Sequence, residues 1–196
     1  MKTKLPFLLV LFCVATGFTI RTQIGIPVNP LENSSDTITQ TSQVVIGTQT
    51  WSTTNLDVFS FRNGDQIFEA QSAEAWKRAL DNGTPAWCYY DNDPKNGIKY
   101  GKLYNCYAAN DPRGLAPEGW HLPSNDEWTT LINYLGENTS VKMKSMQTVN
   151  GWPMEYAGSN SSGFTALPAG YRGSAGEFST LGKSADWWSS TVWYEM

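Results

Sequence analysis

The sequence predicts a single α+β domain of short antiparallel strands and two helices, with a long loop-rich C-terminal third. Three observations carry this reading. Two stretches, 72–83 and 124–136, combine helical apolar spacing with capping residues at both ends. The segments between them are rich in aromatic and β-branched residues and are broken by Asn, Gly and Pro. Beyond residue 145 the chain becomes rich in Gly, Ser, Asn and Pro and loses helical periodicity.

The 196 residues suffice for a leader and one domain, and nine Trp, nine Tyr and eight Phe give that domain material for a core. The net charge is −4, spread without blocks. No basic stripe for nucleic acid and no polybasic patch for a membrane surface is present in the sequence. Lys2 and Lys4 precede LPFLLVLFCVATGFTI, an apolar run of 16 residues, short of the roughly 20 that span a bilayer. A basic start, a short apolar middle and the small residues Ala15 and Gly17 describe a signal peptide over 1–17. Lipidation of Cys13 is the rival reading, but it needs a small residue where Phe12 stands. The expectation is therefore an exported chain (secreted, periplasmic or at the cell surface) with no stable membrane span after cleavage. Residues 18–43, with two prolines and many Ser, Thr, Asn and Gln, read as a disordered linker, and the domain occupies 44–196.

Within the domain, QVVIGTQTW reads as two strands around Gly47, and TNLDVFSF as a further extended piece. Asn63-Gly64 is a turn signal. Ser72 caps a short helix with the apolar stripe Ala75, Trp76, Ala79 and Leu80, ended by Gly83. PAWCYYDNDPKNGIKYGKLYNCYAA reads as two strands joined by a hairpin turn over Pro94–Gly97. That register sets Cys88 opposite about Lys102 rather than Cys106, so no simple cross-strand disulfide is expected. Ser124 and Glu127 have capping-box spacing, and Asp126 adds negative charge at the positive end of the second helix. Trp128, Leu131, Ile132 and Leu135 form its predicted buried face, and Gly136 its C-cap. In the loop-rich third, FTALPAGYR and ADWWSST are the candidate strands.

The chemical candidates are few. His121 is the only histidine and lies close to Ser124, Asp126 and Glu127. The sequence has no Gly-x-Ser-x-Gly elbow and no second His for a metal site. His121 therefore reads as partly buried between Trp120 and Leu122, and the acids as helix caps. DNDPKNG, 91–97, resembles the start of a calcium loop, but Lys95 and Lys102 stand where the fifth and twelfth positions need oxygen ligands. With no Gly-rich phosphate loop either, no catalytic residue, metal or cofactor is assigned. Of Trp152, Tyr156, Tyr171, Trp187, Trp188 and Trp193, one or two are expected to be exposed.

Taken in order, IGTQTW…NL, CYYDNDPKNGIKYGKLYN, DPRGLAPEGWHLPSNDEW, NSSGFTALPAGYR and WWSST resemble the Fibrobacter succinogenes major paralogous domain, over about 44–191. The resemblance implies an exported bacterial surface protein with a C-type-lectin-like fold, related to that of formylglycine-generating enzymes. The enzyme branch uses late cysteines, and this sequence has none after Cys106, so no catalytic residue carries over. Members of the family usually continue past WWSST to a last strand beside the first. A chain ending at Met196 is therefore expected to be C-terminally incomplete, leaving the VVIG strand with an open edge and Cys88 without a partner. The resulting expectation is a non-enzymatic module binding a glycan or a surface protein through about 150–186, with Asn160, Tyr171 and Arg172 as contacts. A sulfatase-modifying or glycan-acting enzyme and a structural component of a surface assembly are the other two readings.

Overall fold

Thr19–Ile20 (β1) begins the ordered description in the computed structural model, which describes residues 19–20, 42–146 and 151–191. The predicted leader, the rest of the linker up to residue 41, and Trp193 lie outside the described residues. Gln43–Ile46 (β2) and Gln49–Ser52 (β3) form an antiparallel hairpin, with Val44 opposite Trp51 and Ile46 opposite Gln49. Gly47 turns it at φ +63°, and a Cβ there would meet the Tyr134 ring at 2.9 Å, so a glycine is needed on both counts. Asn63-Gly64 makes the expected turn, with the Asn63 side-chain oxygen accepting from the Asp65 N–H and a bridge pairing Ser60 with Gln66.

Phe68–Glu69 (β4) leads into Ala73–Asp81 (α1), where Ser72 accepts from the Ala75 N–H and Trp76 and Ala79 are buried. Ala86–Cys88 (β5) lies parallel to β4. The next segment corrects the sequence reading, because no hairpin joins β5 to its antiparallel partner. A 3-10 turn at Tyr90–Asn92 and a helix, Pro94–Tyr100 (α2), intervene before Leu103–Tyr104 (β6). The physical reason is Asp93-Pro94. Asp93 accepts from the Lys95 N–H, and Pro94 at the first helical position forgoes an N–H that has no partner there anyway. Gly97 is then a packing residue, since a Cβ would stand 2.1 Å from Tyr89 Cε1. Cys88 faces Leu103, one residue from the expected Lys102. Both described cysteines are free thiols.

Lys102 is buried. Its Nζ donates to Asp57 O at 3.0 Å, pairs with the Asp57 carboxylate, and sits over the Trp87 and Tyr89 rings at 4.7 and 5.0 Å. Cys106–Ala109 (α3) is a single turn that the sequence reading did not contain. Buried Asn105 builds it, its Oδ1 accepting from the Ala86 and Ala108 N–H groups and its Nδ2 donating to Thr84 O. Trp120–His121 (β7) pairs antiparallel with β1, Thr19 opposite His121. Asn125–Leu135 (α4) is the second predicted helix, capped at Ser124 and ended by Gly136 at φ +65°. Leu131 and Leu135 are buried, but Ile132 is exposed, so the buried stripe is narrower than expected. Thr139–Met143 (α5) was also unforeseen, giving five α-helices among the described residues where two were expected.

The final third holds Tyr171–Arg172 (β8) antiparallel to Phe178–Ser179 (β9). FTALPAGYR supplies β8 and isolated bridges at Ala166 and Gly170, whereas ADWWSST has only the bridge at Ala185. The molecule is thus α+β with several small sheets. Its core divides in three. One cluster surrounds Leu56, Trp87, Tyr104 and Trp188; a second Trp76, Cys88 and Tyr90; a third Trp51, Leu131, Phe164 and Ala166.

Candidate functional site: a hydroxyl-lined recess on an aromatic cluster

The one histidine ends β7, just ahead of α4. Ser124 Oγ accepts from the Glu127 N–H at 3.3 Å and donates to Glu127 Oε2 at 3.0 Å, while the Ser124 N–H reaches the same oxygen at 2.8 Å. His121 Nε2 lies 2.8 Å from the other oxygen, Oε1. The order is therefore serine, carboxylate, histidine. A nucleophilic triad needs the imidazole between hydroxyl and acid, so that the ring takes the hydroxyl proton. Here the carboxylate occupies that middle place. Glu127 closes the capping box with one oxygen and ties β7 to α4 with the other.

Of the three predicted contacts, Tyr171 and Arg172 adjoin on β8, while Asn160 bonds to Thr165. Arg172 is 1% exposed. Its Nη1 donates to Ala70 O at 2.8 Å and to Asn92 Oδ1 at 3.3 Å, and its Nε to Gly176 O at 3.1 Å. The guanidinium lies 5.0 Å from the centre of the Trp76 ring and 4.5 Å from that of Phe178. It pins the β8–β9 loop to α1 and to the strand end at Ala70. Burial pushes the neighbouring Cys88 thiol up to about 11, with the guanidinium acting against that rise. Tyr171, next along β8, is half-buried against the same cluster. Asn160, at φ +47°, receives the Thr165 N–H on its Oδ1 at 2.8 Å and donates from Nδ2 to Thr165 Oγ1 at 3.0 Å.

That pair of hydrogen bonds between Asn160 and Thr165 leads to the site. Thr165 stands at φ +62°, a left-handed conformation that is uncommon for any non-glycine residue and an outlier for a β-branched one. It borders a shallow surface recess between Ser52–Asn55 and Phe164–Ala166, with Trp187 at its side. The half-buried Trp187 ring is braced by Phe164 at 5.7 Å, edge to face, and by Trp128 at 6.1 Å. Trp51 stacks behind them, 4.8 Å from Trp128. The beginning and the end of the domain meet here, which no local motif announces. Of the five late aromatics among the described residues, Trp152 and Trp188 are buried, Tyr171 and Trp187 are half-buried and Tyr156 is exposed. Asp186, beside Trp187, has its carboxyl raised to about 6 by burial, which the Ser184 hydroxyl opposes. No cluster of three or more His, Cys, Asp or Glu residues suited to a metal ion occurs among the described residues.

Compared with known families, residues 44–193 match the model of the Fibrobacter succinogenes major domain. The chain belongs to that family. The matched span takes in both walls of the recess, the His121–Glu127 pair and Arg172. Comparison with the curated proteins and with the solved structures finds no match. No helix among the described residues is long and apolar enough to cross a membrane.

Proposed function

We propose that this protein is an exported bacterial surface or secreted protein. Its C-type-lectin-like domain would bind a glycan or a surface protein without catalysing a reaction on it. The observation that carries this reading is the construction of the final third. Three of the six described non-glycine residues at positive φ, Asn160, Thr165 and Thr180, fall in this one loop region. Each such conformation costs on the order of 1–3 kcal/mol and persists only where the surroundings enforce it. Here Asn160 enforces Thr165, and the buried Arg172 anchors the β8–β9 loop. Rigid, strained loops on a packed scaffold suit recognition, because little ordering entropy remains to be lost on binding.

In this reading Asn160 and Arg172 act on a ligand through the loops they hold, and Tyr171 keeps surface for direct contact. The leader, read as a signal peptide, supports export. The test is binding of the full chain to a glycan array and to a panel of purified bacterial surface proteins. Saturable binding to any member is expected, and binding to none of either set sinks the proposal.

A further inference from the structure

An asparagine followed by glycine is prone to attack by its own backbone, because a residue without Cβ leaves its nitrogen free to reach the preceding side chain. Three such pairs lie wholly among the described residues: Asn63-Gly64, Asn82-Gly83 and Asn96-Gly97. Attack needs an exposed side-chain amide that is free to turn, and a glycine N–H that is not firmly held. The fold grants these conditions unequally.

Asn96 meets neither. It sits inside α2, its Nδ2 donates to Tyr90 O at 2.9 Å, and Gly97 is buried against Tyr89. Asn63 is exposed, but Asp65 holds both ends of its amide. Oδ1 accepts the Asp65 N–H at 3.1 Å, and Nδ2 donates to Asp65 Oδ2 at 3.0 Å. The Gly64 N–H is itself donated to Phe61 O at 2.9 Å. Asn82 escapes these restraints. It is the exposed C-cap of α1, and its side chain makes no hydrogen bond among the described residues. The Gly83 N–H makes only a long bond, 3.2 Å to Leu80 O, and Gly83 is exposed at φ +66°.

We infer that Asn82 is a site of self-modification, where the Gly83 nitrogen displaces the side-chain amide and an acidic residue is left at the end of α1. The Gly83 nitrogen bonds to Asn82 Cγ, and its proton passes through solvent to Nδ2. The Cγ–Nδ2 bond breaks, ammonia departs and a succinimide ring closes. Solvent water then opens the ring. Opening at Cγ gives aspartate, and opening at the backbone carbonyl gives isoaspartate. Asparagine and water have become an acid and ammonia.

The product changes the fold locally. A carboxylate at the C-cap stands at the negative end of the helix, beside the exposed Asp81, where it is unfavourable. Isoaspartate also lengthens the backbone within the turn that the Thr84 N–H closes on Ala79 O at 2.7 Å. Because α1 carries Trp76, whose ring lies 5.0 Å from the Arg172 guanidinium, the change loosens the helix on which the β8–β9 loop is pinned.

Tryptic mapping of the full chain after ageing at mildly alkaline pH tests this, since the three pairs fall on separate peptides, 63–77, 79–95 and 96–99. In the folded protein, amide-to-acid conversion in 79–95 is expected to be several-fold faster than in the other two. In urea, with the restraints of the fold removed, the three rates should converge. Asn82→Gln, whose longer side chain closes the ring poorly, should abolish the fast conversion and melt with wild type. Asn82→Asp should melt below wild type before any ageing. Conversion of 63–77 or 96–99 as fast as 79–95 in the folded protein overturns the assignment, as does a ranking in urea that matches the folded one, or no conversion at Asn82. An Asn82→Asp variant that melts with wild type overturns the effect on α1.

Discussion

Replacing Arg172 with methionine tests the claim that this residue is an internal pin. The substitution keeps an apolar stem between Trp76 and Phe178 and removes the guanidinium. Two buried carbonyls, Ala70 O and Gly176 O, then lose a side-chain donor. Each buried acceptor left without a partner costs about 1–3 kcal/mol, which gives about 2–6 kcal/mol of gross destabilisation. Loss of the two cation–ring contacts adds about 1–2 kcal/mol. Against this, the folded state no longer buries a cation, a relief of about 1–4 kcal/mol. The net expectation is destabilisation of about 3 kcal/mol, the difference between the mid-range cost and the mid-range relief. Arg172→Lys should fall between wild type and methionine, because an ammonium keeps the charge and loses the planar fork. Urea unfolding reads the difference, with amide exchange over residues 170–180 showing where it acts. A methionine variant as stable as wild type, with unchanged exchange in the β8–β9 loop, refutes the pin.

Other outcomes follow from single sites. Asp186 has a folded pKa raised to about 6 from an ordinary 3.8, so between those values the native state holds a proton that the unfolded chain has released. Stability from this group is fully present below about pH 4 and is lost as pH rises through 6, by about 1–3 kcal/mol. Subtracting the pH–stability curve of Asp186→Asn from that of wild type should recover this step, and a flat difference contradicts it. Gly97→Ala drives a methyl group into Tyr89, and a thermal melt should fall by several degrees; an unchanged melt means that the ring moves aside freely. Thiol alkylation at pH 8 should label the half-buried Cys106 before Cys88, whose thiol is buried and held near 11. Equal rates for the two cysteines argue against the packing described around Cys88.

Local signals explain what was legible in the sequence. Ser72, Ser124, Glu127 and Gly136 act within one or two turns of their own position, and both helices they bound are present. The VVIG hairpin and the Asn63-Gly64 turn are local in the same sense. The misreading at 91–97 came from weighing Asn, Pro and Gly as hairpin residues, when Asp93-Pro94 starts a helix and Gly97 yields space to Tyr89. Ile132 was misassigned because helical spacing gives the width of a stripe but not how much of it a neighbour covers. Arg172 was chosen for its recognition chemistry. The same five donors that suit a ligand also suit buried carbonyls, and only burial separates the two uses. The recess was invisible because its walls are more than a hundred residues apart in the chain. What the sequence does contain is one component, NSSGFT, in which Asn160 reaches Thr165 five residues on.

The measurement closest to the central claim is a binding titration of the full chain on a glycan array and against a panel of purified bacterial surface proteins. A binding module predicts saturable binding to at least one member of either set. Binding to no member of either set contradicts it.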